Sequence, residues 1–135
     1  MGPERLPNDW PLRVHSRFIE CSGIVWHTQC VGNGPVVLLL HGTGSSTHSM
    51  AGLAEQLKSD FTCLLIDLPG QGFTYPLSEH KHLLSAMAQA VYELCMTLDL
   101  PPEYIIGHSA GAAVGIRMCL DTAINDVRPA DSPPL

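Results

Sequence analysis

Five consecutive residues in the last third of the chain, Gly107-His108-Ser109-Ala110-Gly111, match the G-x-S-x-G pattern of a nucleophile elbow. An elbow turns a strand into a helix within one or two residues, which strains the serine backbone. Glycines at both ends remove clashing side chains, so the hydroxyl stands clear of the sheet. An incidental serine in a glycine-rich turn is the alternative. The apolar run before the pattern and the helical segment after it favour Ser109 as a catalytic nucleophile.

A second segment with chemical potential, His41-Gly42-Thr43-Gly44, follows the most apolar run of the chain. In proteins with a nucleophile elbow, a loop that follows a neighbouring strand and the residue after the nucleophile supply the backbone N–H groups of an oxyanion hole. These donors would be Thr43 and Ala110, and the two glycines would let the main chain approach an anionic oxygen closely. By itself the segment is better explained as a tight turn with a structural histidine. The presence of Ser109 favours the oxyanion role.

A third segment, Asp67-Leu68-Pro69-Gly70-Gln71-Gly72-Phe73, follows the apolar run Phe61–Ile66. Its glycines and proline are typical of a turn. We therefore expect Asp67 to shape a turn that packs under the site, rather than to take part in the chemistry.

Periodicity along the chain predicts the elements that position these segments. Strands that are apolar at every position are typical of parallel sheets covered by helices, and a half-buried strand alternates in polarity. An antiparallel pair is predicted first, followed by alternating strands and helices of an α/β fold. The predicted pair is Ser16–Glu20 and Gly23–Gln29; the buried strands are Val36–Leu40, Phe61–Ile66 and Tyr104–Ile106; the helices are Met50–Lys58, Lys81–Leu100 and Ala112–Leu120.

Composition excludes several classes of function. The 135 residues are 45% hydrophobic and 15% charged, so a packed core is expected. The net charge is -6 and the seven Lys and Arg residues are scattered, which argues against nucleic-acid binding. No apolar run approaches the roughly 20 residues that span a bilayer. An N-terminus without an apolar signal core and an odd set of five cysteines favour the reducing cytoplasm.

No cofactor or metal is expected from the motifs. The sequence contains neither a G-x-G-x-x-G nor a Walker A pattern, so nucleotide binding has no support. His80 and His82 are two residues apart and have no carboxylate or cysteine at zinc-ligand spacing. Solvated or capping roles are therefore expected for the histidines outside the two loops, including His27 on its strand.

Three segments, Val36–Gly44, Ile66–Gly72 and Ile105–Ala113, together resemble the α/β-hydrolase fold family, and the resemblance covers about residues 14–122. Within this family the sequence looks similar to the branch of magnesium-chelatase accessory proteins of bacteriochlorophyll biosynthesis. Thr47-His48-Ser49 is the more specific part, whereas Met50 departs from the aromatic residue that the family has there. The other matching stretches are Trp10-Pro11-Leu12-Arg13, Ser16-Arg17-Phe18-Ile19-Glu20, Trp26-His27 and Asp67–Thr74.

The resemblance implies a domain organisation. Residues 1–15 are expected to form an arm, 16–124 the N-terminal part of the hydrolase domain, and 125–135 a proline-rich irregular tail. Family members continue well beyond this length, so the chain is expected to correspond to the N-terminal half.

The resemblance leaves two classes of function open. The family's triad runs Ser, then Asp or Glu, then His along the chain. No histidine follows Ser109, and we rate His41 a poor substitute base. One class is therefore a serine esterase or C–C hydrolase acting on a small carbonyl substrate, represented here by its nucleophile and oxyanion donors. The other is a non-catalytic scaffold that binds a tetrapyrrole precursor or a magnesium-chelatase subunit.

Overall fold

A computed structural model of the chain describes residues 5–77 and 83–125, the last four by their backbone alone. The strands within these ranges are β1 Ser16–Cys21, β2 Ile24–Gly32, β3 Val36–Leu40, β4 Thr62–Ile66, β5 Tyr75–Pro76 and β6 Tyr104–Gly107. The helices are α1 Ala51–Leu57, α2 Leu84–Thr97 and α3 Ala110–Asn125, with 3-10 helices at Arg13–His15 and Thr47–Met50. The predicted tail after Asn125 and the predicted helix start at 81–82 lie outside the described residues.

The strands form one mixed sheet in the order β1-β2-β4-β3-β6, with β5 paired to β2. β2 runs antiparallel to β1 and to β4, whereas β3 runs parallel to β4 and to β6. The predicted fold class, an antiparallel strand pair leading into a parallel sheet with flanking helices, is confirmed.

The centre of the sheet is formed by β3 and β4, whose continuous apolar runs give both faces of the sheet a core. On one face Leu38, Leu40 and Leu64 pack against α2 and α3. On the other face Leu39 and Leu65 pack against α1. Each fully buried leucine contributes about 1.5–3 kcal/mol of transfer free energy, so packing on both faces stabilises β3 and β4 at the centre of the sheet.

The shared register of the parallel strands brings three loops to one edge of the sheet. Leu40 pairs with Ile66 of β4 and with Gly107 of β6, and each of these residues is the last of its strand. His41, Asp67 and His108 therefore begin their loops side by side. We refer to residues 41–50 as the β3–α1 loop and to residues 67–74 as the β4–β5 loop.

The prediction that β2 is half-buried and alternating is wrong. Its residues from Trp26 to Gln29 are all buried. Ile24 and Trp26 belong to the main core. The opposite face carries His27 and Gln29, which hydrogen-bond to Ser16, Asp67 and Pro11. A solvated or capping role for His27 is therefore also wrong.

The prediction that β6 is buried is wrong as well. Tyr104 is 54% exposed and Ile106 is 38% exposed. Among the described strands only β3 pairs with β6, so its outer edge and the adjoining side chains have no cover from those strands.

The predicted N-terminal arm packs on the domain over its described part. Leu6 is buried, and Trp10 contacts the rings of His48 and Phe73 edge-on.

None of the helices in the described part of the chain has the length and apolar character needed to cross a membrane.

Candidate active site

Ser109 lies at the turn between β6 and α3 with a φ of 56°. A positive φ is uncommon for a residue with a Cβ and is strained. Its carbonyl accepts a hydrogen bond from the Ala113 amide at 3.2 Å, so the helix begins directly after it. The side chain is exposed. This is the backbone geometry that the G-x-S-x-G pattern predicts for a nucleophile elbow.

The two glycines of the pattern allow a close approach of backbone segments. A Cβ on Gly107 would lie 2.6 Å from the Ala112 backbone, and a Cβ on Gly111 would lie 2.3 Å from the Leu40 carbonyl oxygen. Real Cβ atoms essentially never come that close to backbone. Gly111 therefore lets the first turn of α3 rest on the end of β3, and Gly107 lets the same turn pack against the end of β6.

Replacing Gly111 by alanine should push α3 away from β3 and destabilise the fold by about 1–3 kcal/mol, the usual cost of forcing a methyl group into a packed site. Gly52→Ala is the matched control, because Gly52 is in α1 with nothing within 4 Å of its added Cβ. That change should stabilise the chain by about 0.5–1 kcal/mol through helix propensity. Urea unfolding followed by circular dichroism measures both. Equal midpoints for the two variants would contradict the close approach.

The β3–α1 loop lies against this elbow. A Cβ on Gly42 would lie 2.7 Å from Nδ1 of His108 and 3.3 Å from Cβ of Ser109. Thr43 is exposed at the tip of the loop. The Gly44 amide donates to Oε1 of Gln71 at 2.8 Å, which ties the tip to the β4–β5 loop. The structure therefore brings the predicted oxyanion segment next to the predicted nucleophile.

The two predicted oxyanion donors are free in the part of the chain that the structure describes. Among the hydrogen bonds of these residues, none has the Thr43 or the Ala110 amide as its donor. Ala110 is the first residue of α3, where the N–H groups have no intrahelical acceptor and the helix dipole favours negative charge. Both amides can therefore serve an external oxygen.

His41 is a structural residue. Its ring is fully buried, with Nδ1 2.7 Å from the Gly42 carbonyl oxygen and Nε2 accepting from the Leu68 amide at 2.8 Å. Because Leu68 donates to Nε2, Nδ1 carries the proton and donates to the carbonyl. No nitrogen remains to take a proton from Ser109, so His41 braces the β3–α1 loop against the β4–β5 loop.

His108 is exposed beside Gly42, with its backbone amide donating to the Leu40 carbonyl at 3.0 Å. Its ring therefore faces the β3–α1 loop. No hydrogen bond between His108 and the Ser109 hydroxyl occurs among the described residues.

Asp67 is fully buried under the site, as expected for a residue that shapes the turn. Its Oδ1 accepts from the Thr47 amide at 2.7 Å. Its Oδ2 accepts from the Phe73 amide and lies against Nδ1 of His27, both at 2.8 Å. One carboxylate thus joins β2, the β3–α1 loop and the β4–β5 loop.

Sequence analysis missed His27 and Ser16, which extend this network. The only signal was the alternation of polar residues His27 and Gln29 along a strand whose other face is apolar. Such a pattern predicts either a solvated face or a buried polar layer, and choosing between them requires knowing what packs on it.

The described residues contain no group of three or more His, Cys, Asp or Glu that could hold a metal ion, and His80 and His82 lie outside them.

Residues 35–127 match the model of the alpha/beta hydrolase fold. Together with the sheet and the elbow, this match shows that the chain belongs to the α/β-hydrolase fold family. It is similar to the magnesium-chelatase 30 kDa subunit of Rhodobacter capsulatus, with 36% identity over 92% of this chain and 44% of that protein. These findings confirm the resemblance predicted from the sequence.

Other similar proteins are named for different activities. The chain is 32% identical to fluoroacetate dehalogenase of Burkholderia sp. over 78% of its own length and 36% of that protein. The structure of an epoxide hydrolase from Vigna radiata superposes with a TM-score of 0.71 and 30% identity, over 78% of this chain and 33% of that one. The chain thus spans less than half the length of each of these relatives.

Proposed function

We propose that this chain provides the nucleophile and the oxyanion donors of a serine-hydrolase-type active site that acts on a small carbonyl substrate. The observation that carries the proposal is the strained Ser109 with the Gly42 backbone packed beside it. In this reading the Ser109 hydroxyl attacks the carbonyl carbon. The free Thr43 and Ala110 amides hold the oxygen that becomes negative in the tetrahedral intermediate.

The base and the acid of this site must come from residues other than those described around Ser109. A serine hydroxyl is a weak nucleophile until an adjacent base takes its proton. Both nitrogens of His41 are occupied, and the sequence has no histidine after Ser109. We therefore propose that a full active site exists only in a protein of the length of the relatives.

The chain of 135 residues should show no ester hydrolysis that depends on Ser109, because no residue described around Ser109 supplies a base for the hydroxyl. Loss of triad members leaves only about 10³–10⁴-fold catalysis over water from the oxyanion hole and binding. The measurement is p-nitrophenyl acetate hydrolysis by the chain, by Ser109→Ala and by Ser49→Ala, an exposed serine as control. A rate that is lost only in Ser109→Ala and that titrates near a histidine pKa would show that a base was missed.

A non-catalytic scaffold is the second candidate, and the similarity to a magnesium-chelatase subunit favours it. In this proposal the hydrolase frame binds a tetrapyrrole precursor or a chelatase subunit. A fluorophosphonate probe on a full-length protein separates the two candidates. Covalent labelling of Ser109 supports the enzyme. A folded protein that resists labelling and binds a metal-free porphyrin, followed by absorbance, supports the scaffold.

We also propose a cytoplasmic location, because all five cysteines are free thiols, as a reducing compartment favours. Fractionation of cells that produce the full-length protein tests it. Recovery in an oxidising compartment with paired thiols would contradict it.

A further inference from the structure

A closed ring of hydrogen bonds connects the N-terminal arm with the β3–α1 loop. The first link is the hydrogen bond that the Thr47 amide donates to Oδ1 of Asp67, at 2.7 Å. The second joins Oδ2 of Asp67 to Nδ1 of His27 at 2.8 Å, and the third joins Nε2 of His27 to the Ser16 hydroxyl at 2.9 Å. Ser16 lies in β1, His27 in β2, Asp67 directly after β4 and Thr47 in the 3-10 helix of the β3–α1 loop, and all four residues are buried.

The ring closes through the arm. Nε2 of Gln29 donates to the Ser16 hydroxyl at 3.0 Å and to the Pro11 carbonyl at 2.8 Å. Trp10, which directly precedes Pro11 in the chain, donates its indole N–H to Oγ1 of Thr47 at 3.4 Å. Thr47 is therefore held from two sides, by the Asp67 carboxylate at its amide and by the arm at its hydroxyl. We call this set of groups the arm–loop ring.

The hydrogen-bond donors of the buried part of the ring all point towards the Asp67 carboxylate. The Gln29 amide must face Pro11 with its nitrogen, because the reverse orientation would oppose two carbonyl oxygens. The Ser16 hydroxyl accepts from that nitrogen and donates to Nε2 of His27. His27 then donates from Nδ1 to the Asp67 carboxylate, so each bond polarises the next towards the only carboxylate in the ring.

We propose that His27, Ser16 and Trp10 are positioning residues, which hold the β3–α1 loop in the geometry that presents the Thr43 amide to substrate. This inference rests on the oxyanion role proposed above. Asp67 acts at Thr47, four residues beyond Thr43, and at Phe73 in the adjoining loop. The same β4–β5 loop holds the Gly44 amide through Gln71, so the carboxylate restrains the tip of the β3–α1 loop on both sides.

The Asp67–His27–Ser16 contacts have the connectivity of a catalytic triad, but they do not form a second active site. Ser16 is only 7% exposed. Its oxygen already accepts from Gln29 and its proton is directed to His27. A substrate carbonyl could not reach this hydroxyl without dismantling β1. The arrangement suits the orientation of a loop, since the Asp67 carboxylate, the His27 ring and the Ser16 hydroxyl each have fixed partners.

Hydrogen exchange of single amides tests the positioning role. Ser16→Ala removes the hydroxyl that links His27 to Gln29, and Trp10→Phe removes the donor to Thr47 while keeping an aromatic ring beside His48 and Phe73. In both variants the Thr47 and Gly44 amides should exchange about fivefold to tenfold faster, the ratio expected from losing one hydrogen bond. Core amides of β3 should keep their rates. Ser16→Thr, which retains a hydroxyl, should restore slow exchange at Thr47.

His15→Ala is the matched control, because His15 is the exposed neighbour of Ser16 in the arm. Unchanged exchange at Thr47 and Gly44 in both ring variants would overturn the proposal. An equal increase at the β3 core amides would also overturn it, since that result would show general destabilisation. The readout does not depend on catalysis. Failure of Ser109 to react would remove the oxyanion role and leave the ordering of the loop measurable.

Discussion

Asp67→Ala should be among the most destabilising single substitutions in the chain, with a loss of about 3 kcal/mol or more, because three donors each lose their acceptor at a cost of about 1–3 kcal/mol. The carboxylate and the His27 ring are both fully buried. Its removal leaves the Thr47 and Phe73 amides and Nδ1 of His27 without acceptors. Domains of this size are stable by only about 5–15 kcal/mol, so the loss is a large fraction of the total and should lower the unfolding midpoint strongly.

Urea unfolding followed by circular dichroism measures this loss. Asp60→Ala serves as control, because Asp60 is exposed next to β4 and its side chain makes no hydrogen bond within the described residues. The control should lie within about 0.5 kcal/mol of the parent, as exposed substitutions usually do. A midpoint for Asp67→Ala equal to that of Asp60→Ala would mean that other contacts hold β2, the β3–α1 loop and the β4–β5 loop together.

The meeting of the candidate site segments could be predicted from the sequence because it depends on local patterns. Each segment directly follows a mainly apolar strand, as expected for the parallel part of an α/β sheet. The ends of neighbouring parallel strands reach the same edge, which is why His41, Asp67 and Ser109 come together. The turn at Ser109 could be predicted because glycines on both sides tolerate the close backbone approach that a sharp strand-to-helix turn requires.

The buried polar layer could not be predicted in the same way. His27 and Asp67 are forty residues apart, and their contact follows from the antiparallel pairing of β2 with β4. The polarity of His27 favours solvent when the strand is considered by itself. The network of Asp67, Ser16 and the arm offsets the cost of burying the imidazole, and those partners are defined only once the sheet is assembled.

The arm illustrates the same limit. Prolines and the absence of periodicity in residues 1–15 predict an arm, and residues 6–12 have neither helix nor strand. Packing of Trp10 on Phe73 and its bond to Thr47 depend on loops far along the chain. Irregular backbone therefore does not imply a segment without a structural role.

The chain should self-associate through the outer edge of β6 and the adjoining surface of α3. Among the described strands β6 pairs only with β3, so about half of its amides and carbonyls face outwards without partners. Apolar side chains flank this edge, with Ile116 62% exposed and Leu120 53% exposed. Between β6 and α3 they line an apolar groove of about 360 Å³. An uncovered strand edge beside such a groove favours pairing with another chain.

Size-exclusion chromatography over a range of concentrations should show a species larger than the monomer that grows with concentration. Ile116→Glu should shift the chain towards the monomer, because a charge on this face opposes burial. Leu53→Glu is the matched control, since Leu53 is an exposed leucine of α1 on the other side of the sheet. It should leave the elution unchanged.

Thiol alkylation reports on the same face. Cys119 is exposed in the groove next to Ile116. Burial raises the pKa of Cys95 to about 12 and also raises the pKa values of Cys30 and Cys63, so these thiols should stay silent near neutral pH. Cys119 should react faster in the Ile116→Glu monomer than in the associated parent. A sharp monomer peak for the parent, with strongly protected Tyr104–Gly107 amides, would rule out the association.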